Sequence, residues 1–131
     1  MQRWASVLAL SGVRDQPHEL IVTAMIRGRM CELLSPGGSY GDKAFTVGLF
    51  SVVNALLGAP MREALHGLPL SDEVKEAILH GAGPDGEVLR AVVAWEMGDF
   101  TQPGGDLTRS ALAAAYRDAV RWADEISTPG A

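Results

Sequence analysis

A chain of 131 residues, 47% hydrophobic and 21% charged, is one domain's worth of ordinary globular sequence and can bury a core without staples. A net charge of −5 and a pI near 5.1 exclude the electrostatic footprint of a nucleic-acid binder and disfavour an acidic membrane surface. Cys31 is the single cysteine, so no intrachain disulfide forms, and no run matches a membrane span or a secretory signal; together these point to a cytoplasmic protein.

Arg3–Leu10 reads as a short helix that begins abruptly, which predicts a chain cut from something longer. After a polar turn, Pro17 opens a second helix that runs to about Leu34, with Glu19 suiting the positive end of its dipole. Leu20, Ala24, Gly28 and Cys31 line one stripe of it. Ala24 and Gly28 are four apart, so a second helix can approach closely there. Arg27 and Arg29 are expected off that face. Ser35–Ser39 is a loop by composition.

Ala44–Leu57 is the most continuously apolar run of the chain. Phe45, Leu49, Val52 and Leu56 share a face, and Phe50, Val53 and Leu57 widen it until little polar surface is left. A helix apolar nearly all round is buried by its neighbours, so one unbroken central helix is predicted, capped by Ser39 or Asp42 and ended by Gly58. A short turn, Met61–His66, follows Pro60.

Ser71-Asp72-Glu73 is a helix start: a capping hydroxyl, then two acids in the first turn. Gly81 stops that helix. Pro84 and Asp85 start the next, predicted to end near Phe100. Asp106 or Thr108 caps the last helix, where Leu112, Tyr116, Ala119, Ala123 and Ile126 recur at three- and four-residue steps. No alternating run of useful length exists, so the fold class is all-α: a compact bundle of about six or seven helices.

Several features invite chemistry and decline it. Gly81-Ala82-Gly83-Pro84-Asp85-Gly86 matches Gly-x-Gly-x-x-Gly, but a helix precedes it where a dinucleotide fingerprint needs a strand. It reads as a C-cap, a turn and a Pro-led helix start. His18, His66 and His80 lack metal-ligand spacing. Cys31, on the small-residue stripe, reads as a core thiol. Trp4, Trp95 and Trp122 have no basic groove around them and read as packing.

The ordered set Arg3-Trp4-Ala5-Ser6, Glu19–Ala24, Arg29-Met30-Cys31-Glu32, Ala44–Ser51, Leu68-Pro69-Leu70-Ser71 and Trp95–Phe100 resembles the C-terminal part of an HDOD domain, the HD-related output domain of bacterial signalling proteins. It is most similar to the branch in which a cyclic-di-GMP phosphodiesterase-type EAL domain precedes the HDOD domain. The resemblance implies an HD-domain-like bundle, with residues 1–131 as the C-terminal portion and the N-terminal HDOD helices and EAL domain lying before Met1.

In catalytic HD phosphohydrolases, the corresponding helix reads roughly Gly-Leu-Leu-His-Asp, and the His and Asp bind the metals that activate water. Here Gly48-Leu49-Phe50 keep the scaffold, while Ser51 and Val52 stand at the His and Asp positions. Neither holds a divalent ion well. The resemblance therefore implies no metal, no cofactor and no catalytic residue. The expected function is a non-catalytic regulatory output domain that docks on a protein partner, or on the missing EAL and N-terminal portion, with a homodimer predicted from exposed apolar surface. Two rivals stand beside it. One is a residual metal-dependent phosphohydrolase on a nucleotide second messenger, using Asp42, His80 and Asp85. The other is a small-ligand sensor pocket.

Overall fold

The computed structural model describes residues 18–35, 41–98 and 107–127. The expected helix Arg3–Leu10, the cap at Ser39, the cap at Asp106 and the segment near Phe100 lie outside these residues. Within them the chain is helical with no strand, in seven segments: α1 His18–Leu34, α2 Gly41–Phe50, α3 Val53–Leu57, α4 Met61–His66, α5 Asp72–His80, α6 Gly83–Glu96 and α7 Arg109–Ser127. None of the described helices is long and apolar enough to cross a membrane.

The bundle is organised around α1 and α2, with α7 on α1 and the α5–α6 pair against α2. Small residues make this crossing possible. A methyl group on Gly48 would sit 2.6 Å from the Arg27 carbonyl oxygen and 2.7 Å from the Gly28 Cα. One on Gly28 would meet the Phe45 carbonyl at 3.0 Å. The two backbones are thus in direct contact, as the spacing of Ala24 and Gly28 predicts.

Two apolar clusters flank the crossing. One joins Ala24 and Met25 to Phe45, Leu49, Val53, Leu56 and Leu65, with Ala123 of α7. The other joins Met30, Cys31, Ala44 and Val47 to Val74, Ala77, Val88, Leu89 and Val92. Phe45 meets Trp122 edge to face, with centroids 5.7 Å apart and planes at 81°, a geometry that sets ring edge on ring face. Trp122 also carries the Arg29 guanidinium 5.7 Å above its ring.

Ends form where turn chemistry demands. The Ser71 hydroxyl accepts from Val74 N–H at 3.2 Å, and the Thr108 hydroxyl accepts from Ala111 N–H at 3.1 Å. Gly58 and Gly81 close α3 and α5 in the left-handed conformation, at φ 62° and 67°. The three glycines of the Gly-x-Gly-x-x-Gly stretch are all used in this turn. Gly81 and Gly83 take positive φ, and a Cβ on Gly86 would lie 2.3 Å from the Gly81 carbonyl carbon. The pattern is a helix-to-helix fold-back.

Two expectations are corrected. The run Ala44–Leu57 is two helices, broken at Ser51-Val52. Ser51 returns both its N–H (3.3 Å) and its hydroxyl (2.6 Å) to the Gly48 carbonyl, tightening the turn. Val52 sits at φ −108°, ψ 7°, and the adjoining β-branched pair Val52-Val53 gives little intrinsic helix preference to oppose the break. The second correction concerns α6, which ends at Glu96, with Met97 as its cap and Gly98 at φ 74° just beyond. Asp42 sits inside the first turn of α2, where its charge suits the dipole.

Candidate functional site

The break at Ser51-Val52 brings together three elements. Arg27 comes from α1, Ser51 from the end of α2 and Glu96 from the last position of α6. Arg27 Nη1 donates to the Ser51 hydroxyl at 3.0 Å. Its Nη2 and Nε donate to the two carboxylate oxygens of Glu96 at 2.6 and 3.2 Å. The pair is largely enclosed, with side chains 15% and 23% exposed. Three guanidinium nitrogens are thereby committed in a fork geometry that lysine could not reproduce. Val52 is buried in the apolar cluster beside this node.

The consequence is electrostatic. At Ser51 and Val52, this chain places a hydroxyl already bonded on both sides and a buried valine. The charge beside them is a guanidinium. A cation cannot find negative ligands there without displacing Arg27 from Glu96. Sequence reasoning singled out Ser51 and Val52 but not Arg27 and Glu96, which are 69 positions apart.

A second polar group lies at the mouth of α6. Asp85 is buried, and burial pushes its carboxyl above the usual carboxylate range, opposed by the Lys43 ammonium. Lys43 Nζ lies 3.9 Å from Asp85 Oδ2 and also pairs with Glu73. Lys43, Glu73, Glu76, Pro84 and Asp85 are among the residues lining a shallow cavity of about 240 Å³.

The other candidate ligands do not join Asp85. His80 is exposed and stands 3.7 Å from Glu76 on its own helix, while Asp42 is an exposed residue of α2. Among the described residues, no group of three or more His, Cys, Asp and Glu side chains is placed to hold a metal ion. The trio Asp42, His80 and Asp85 is therefore not assembled into a ligand set.

Cys31 is fully buried between α1 and the α6 side of the core, and desolvation pushes its thiol up to about 12. A thiol held neutral in this way is a packing group rather than a nucleophile. A third feature, a groove of about 420 Å³ between α5 and α6, is lined by Ile78, Leu89, Arg90, Val93 and Met97 among others.

Comparison with known proteins gives two relatives. The chain is 27% identical over 135 residues to the uncharacterized protein YuxH of Bacillus subtilis, covering 96% of this chain and 33% of that protein. It is 32% identical over 88 residues to the cyclic di-GMP phosphodiesterase CdgJ of Vibrio cholerae, covering 65% of this chain and 20% of that protein. The chain thus spans a third or less of the length of these curated relatives. No family model matches it, and no solved structure matches it.

Proposed function

We propose that this chain corresponds to the C-terminal portion of an HDOD-type helical domain and serves as a non-catalytic regulatory module in cyclic-di-GMP-related signalling. Distant similarity to a cyclic di-GMP phosphodiesterase over 65% of the chain supports the signalling context. The observation that carries the non-catalytic part is the Arg27–Ser51 hydrogen bond of 3.0 Å at the degenerate motif. A cation site cannot share that volume with a guanidinium, because like charges at contact distance in a partly buried setting repel strongly.

The module acts by contact with a protein partner, or with an EAL domain and HDOD helices of the same polypeptide, in the cytoplasm. Exposed Leu33, Leu57, Met97, Tyr116 and Val120 supply apolar contact points for such a partner or for a second copy. Sedimentation across a concentration series checks the homodimer: a monomer at every concentration removes it.

The decisive test is elemental analysis of the purified protein together with hydrolysis assays on cyclic di-GMP and simple phosphoesters with added Mn²⁺. The expected result is substoichiometric metal and no metal-dependent turnover. Stoichiometric iron or manganese, with turnover lost in His80→Ala, would establish the phosphohydrolase reading instead.

A further inference from the structure

The groove between α5 and α6 shares Met97 with the apolar contact points named above, and its other described lining residues are not used by the regulatory reading. Its volume of about 420 Å³ falls within the roughly 300–1,000 Å³ at which proteins enclose small ligands. Ala77 and Ile78 of α5 and Leu89, Val93 and Ala94 of α6 make its walls apolar. At one end stands Met97, 79% exposed, an unbranched side chain that reshapes itself to what it covers.

Among the described residues, a single charged side chain lines this groove: Arg90. Its stem is held in place by the absence of a side chain at Gly81, where a Cβ would fall 2.3 Å from Arg90 Cδ and 3.3 Å from its Nε. The left-handed glycine that closes α5 thus also beds the arginine. Arg90 is an exposed residue and, like Arg62, Arg117 and Arg121, has no ion-pair partner among the described residues, so its guanidinium is open to an added anion.

We infer that this groove binds a small amphipathic carboxylate, with its apolar body against Ile78, Leu89 and Val93 and its acid group on the Arg90 guanidinium. Charge complementarity selects this class. A neutral ligand of the same shape would cover the guanidinium without replacing its water, and a cation would be repelled. The inference stands whether or not the domain is regulatory.

Titration calorimetry of the full chain with decanoate, and separately with decanol, tests it. Decanoate is expected to bind one per chain and about tenfold more tightly than decanol, the difference a charge-assisted hydrogen bond makes. Arg90→Gln should bring the two ligands within about twofold of each other, whereas Arg117→Gln, an exposed arginine on α7, should leave the preference intact. Ala94→Trp, which fills the groove from its half-buried wall, should abolish both, with circular dichroism verifying the fold of each variant. Equal affinity for decanoate and decanol would overturn the inference. So would an unchanged decanoate affinity in Arg90→Gln, or the absence of saturable decanoate binding below about 1 mM.

Discussion

Arg27 grips both carboxylate oxygens of Glu96, at 2.6 and 3.2 Å, and spends its remaining terminal nitrogen on Ser51. The first expectation follows from this shared donor. Glu96→Ala leaves a partly buried guanidinium without its counterion and should cost about 1–3 kcal/mol in urea unfolding. Ser51→Ala removes the hydroxyl that accepts from the Arg27 guanidinium and donates to the Gly48 carbonyl, and should cost about 1–3 kcal/mol. Because both partners share Arg27, the double variant should depart from additivity by at least about 0.5 kcal/mol. Strict additivity would mean the node is three independent contacts.

Gly48→Ala adds a methyl group 2.6 Å from the Arg27 carbonyl oxygen. Replacing a helical glycine with alanine ordinarily gains about 1 kcal/mol. Here overpacking of backbone against backbone should win, for a net loss of about 1–3 kcal/mol by chemical denaturation. Gly67, at φ −87° with nothing within 4 Å of a built Cβ, is the matched control. Gly67→Ala should stay within about 0.5 kcal/mol of the parent.

The Cys31 thiol should be silent to a disulfide reagent at pH 8 in the folded protein and react at once in denaturant. Its proton affinity also sets a sign. The folded thiol holds its proton up to about 12, whereas the ordinary value is 9.0. Above pH 9 the unfolded chain loses a proton that the folded chain keeps, so stability falls as pH rises towards 12. Melting temperatures of the parent and Cys31→Ala, compared across this window, should diverge, with the parent losing more.

Asp85 has the same sign in the acid range. Burial raises its carboxyl in the fold, so folding favours the protonated form, and that contribution fades as pH rises through the raised value. Asp85→Asn should therefore be neutral to stabilising at pH 7, with any gain shrinking as the pH is lowered. Lys43→Met removes the charge that opposes the shift and should destabilise at pH 7. A large loss in Asp85→Asn at neutral pH would show that pairing with Lys43 outweighs burial.

Much of this architecture was legible in local chemistry. Ser71, Gly58, Gly81 and Thr108 act at helix ends through turn geometry, which depends on neighbours in sequence. The close α1–α2 crossing was legible from Ala24 and Gly28, because small residues on one face have few other uses. The break inside the apolar run was not. Its hydrophobic pattern continues across Val52 and Val53, and what divides it is one hydroxyl bonding to its own turn. The candidate site was half legible. Ser51 and Val52 followed from the resemblance, but Arg27 lies beside a buried stripe and reads as solvated until Glu96 arrives from a distant helix. Charged pairs of that separation leave no periodic signal.

The backbone contact between Gly28 and Gly48 has a mechanical consequence. Where helices meet through long side chains, rotamer changes let one slide over the other. At this crossing no side chain intervenes, so relative sliding would have to drive main chain into main chain. The α1–α2 pair is therefore a stiff lever within the bundle. Among the described residues, a displacement of one helix of this pair carries the other with it.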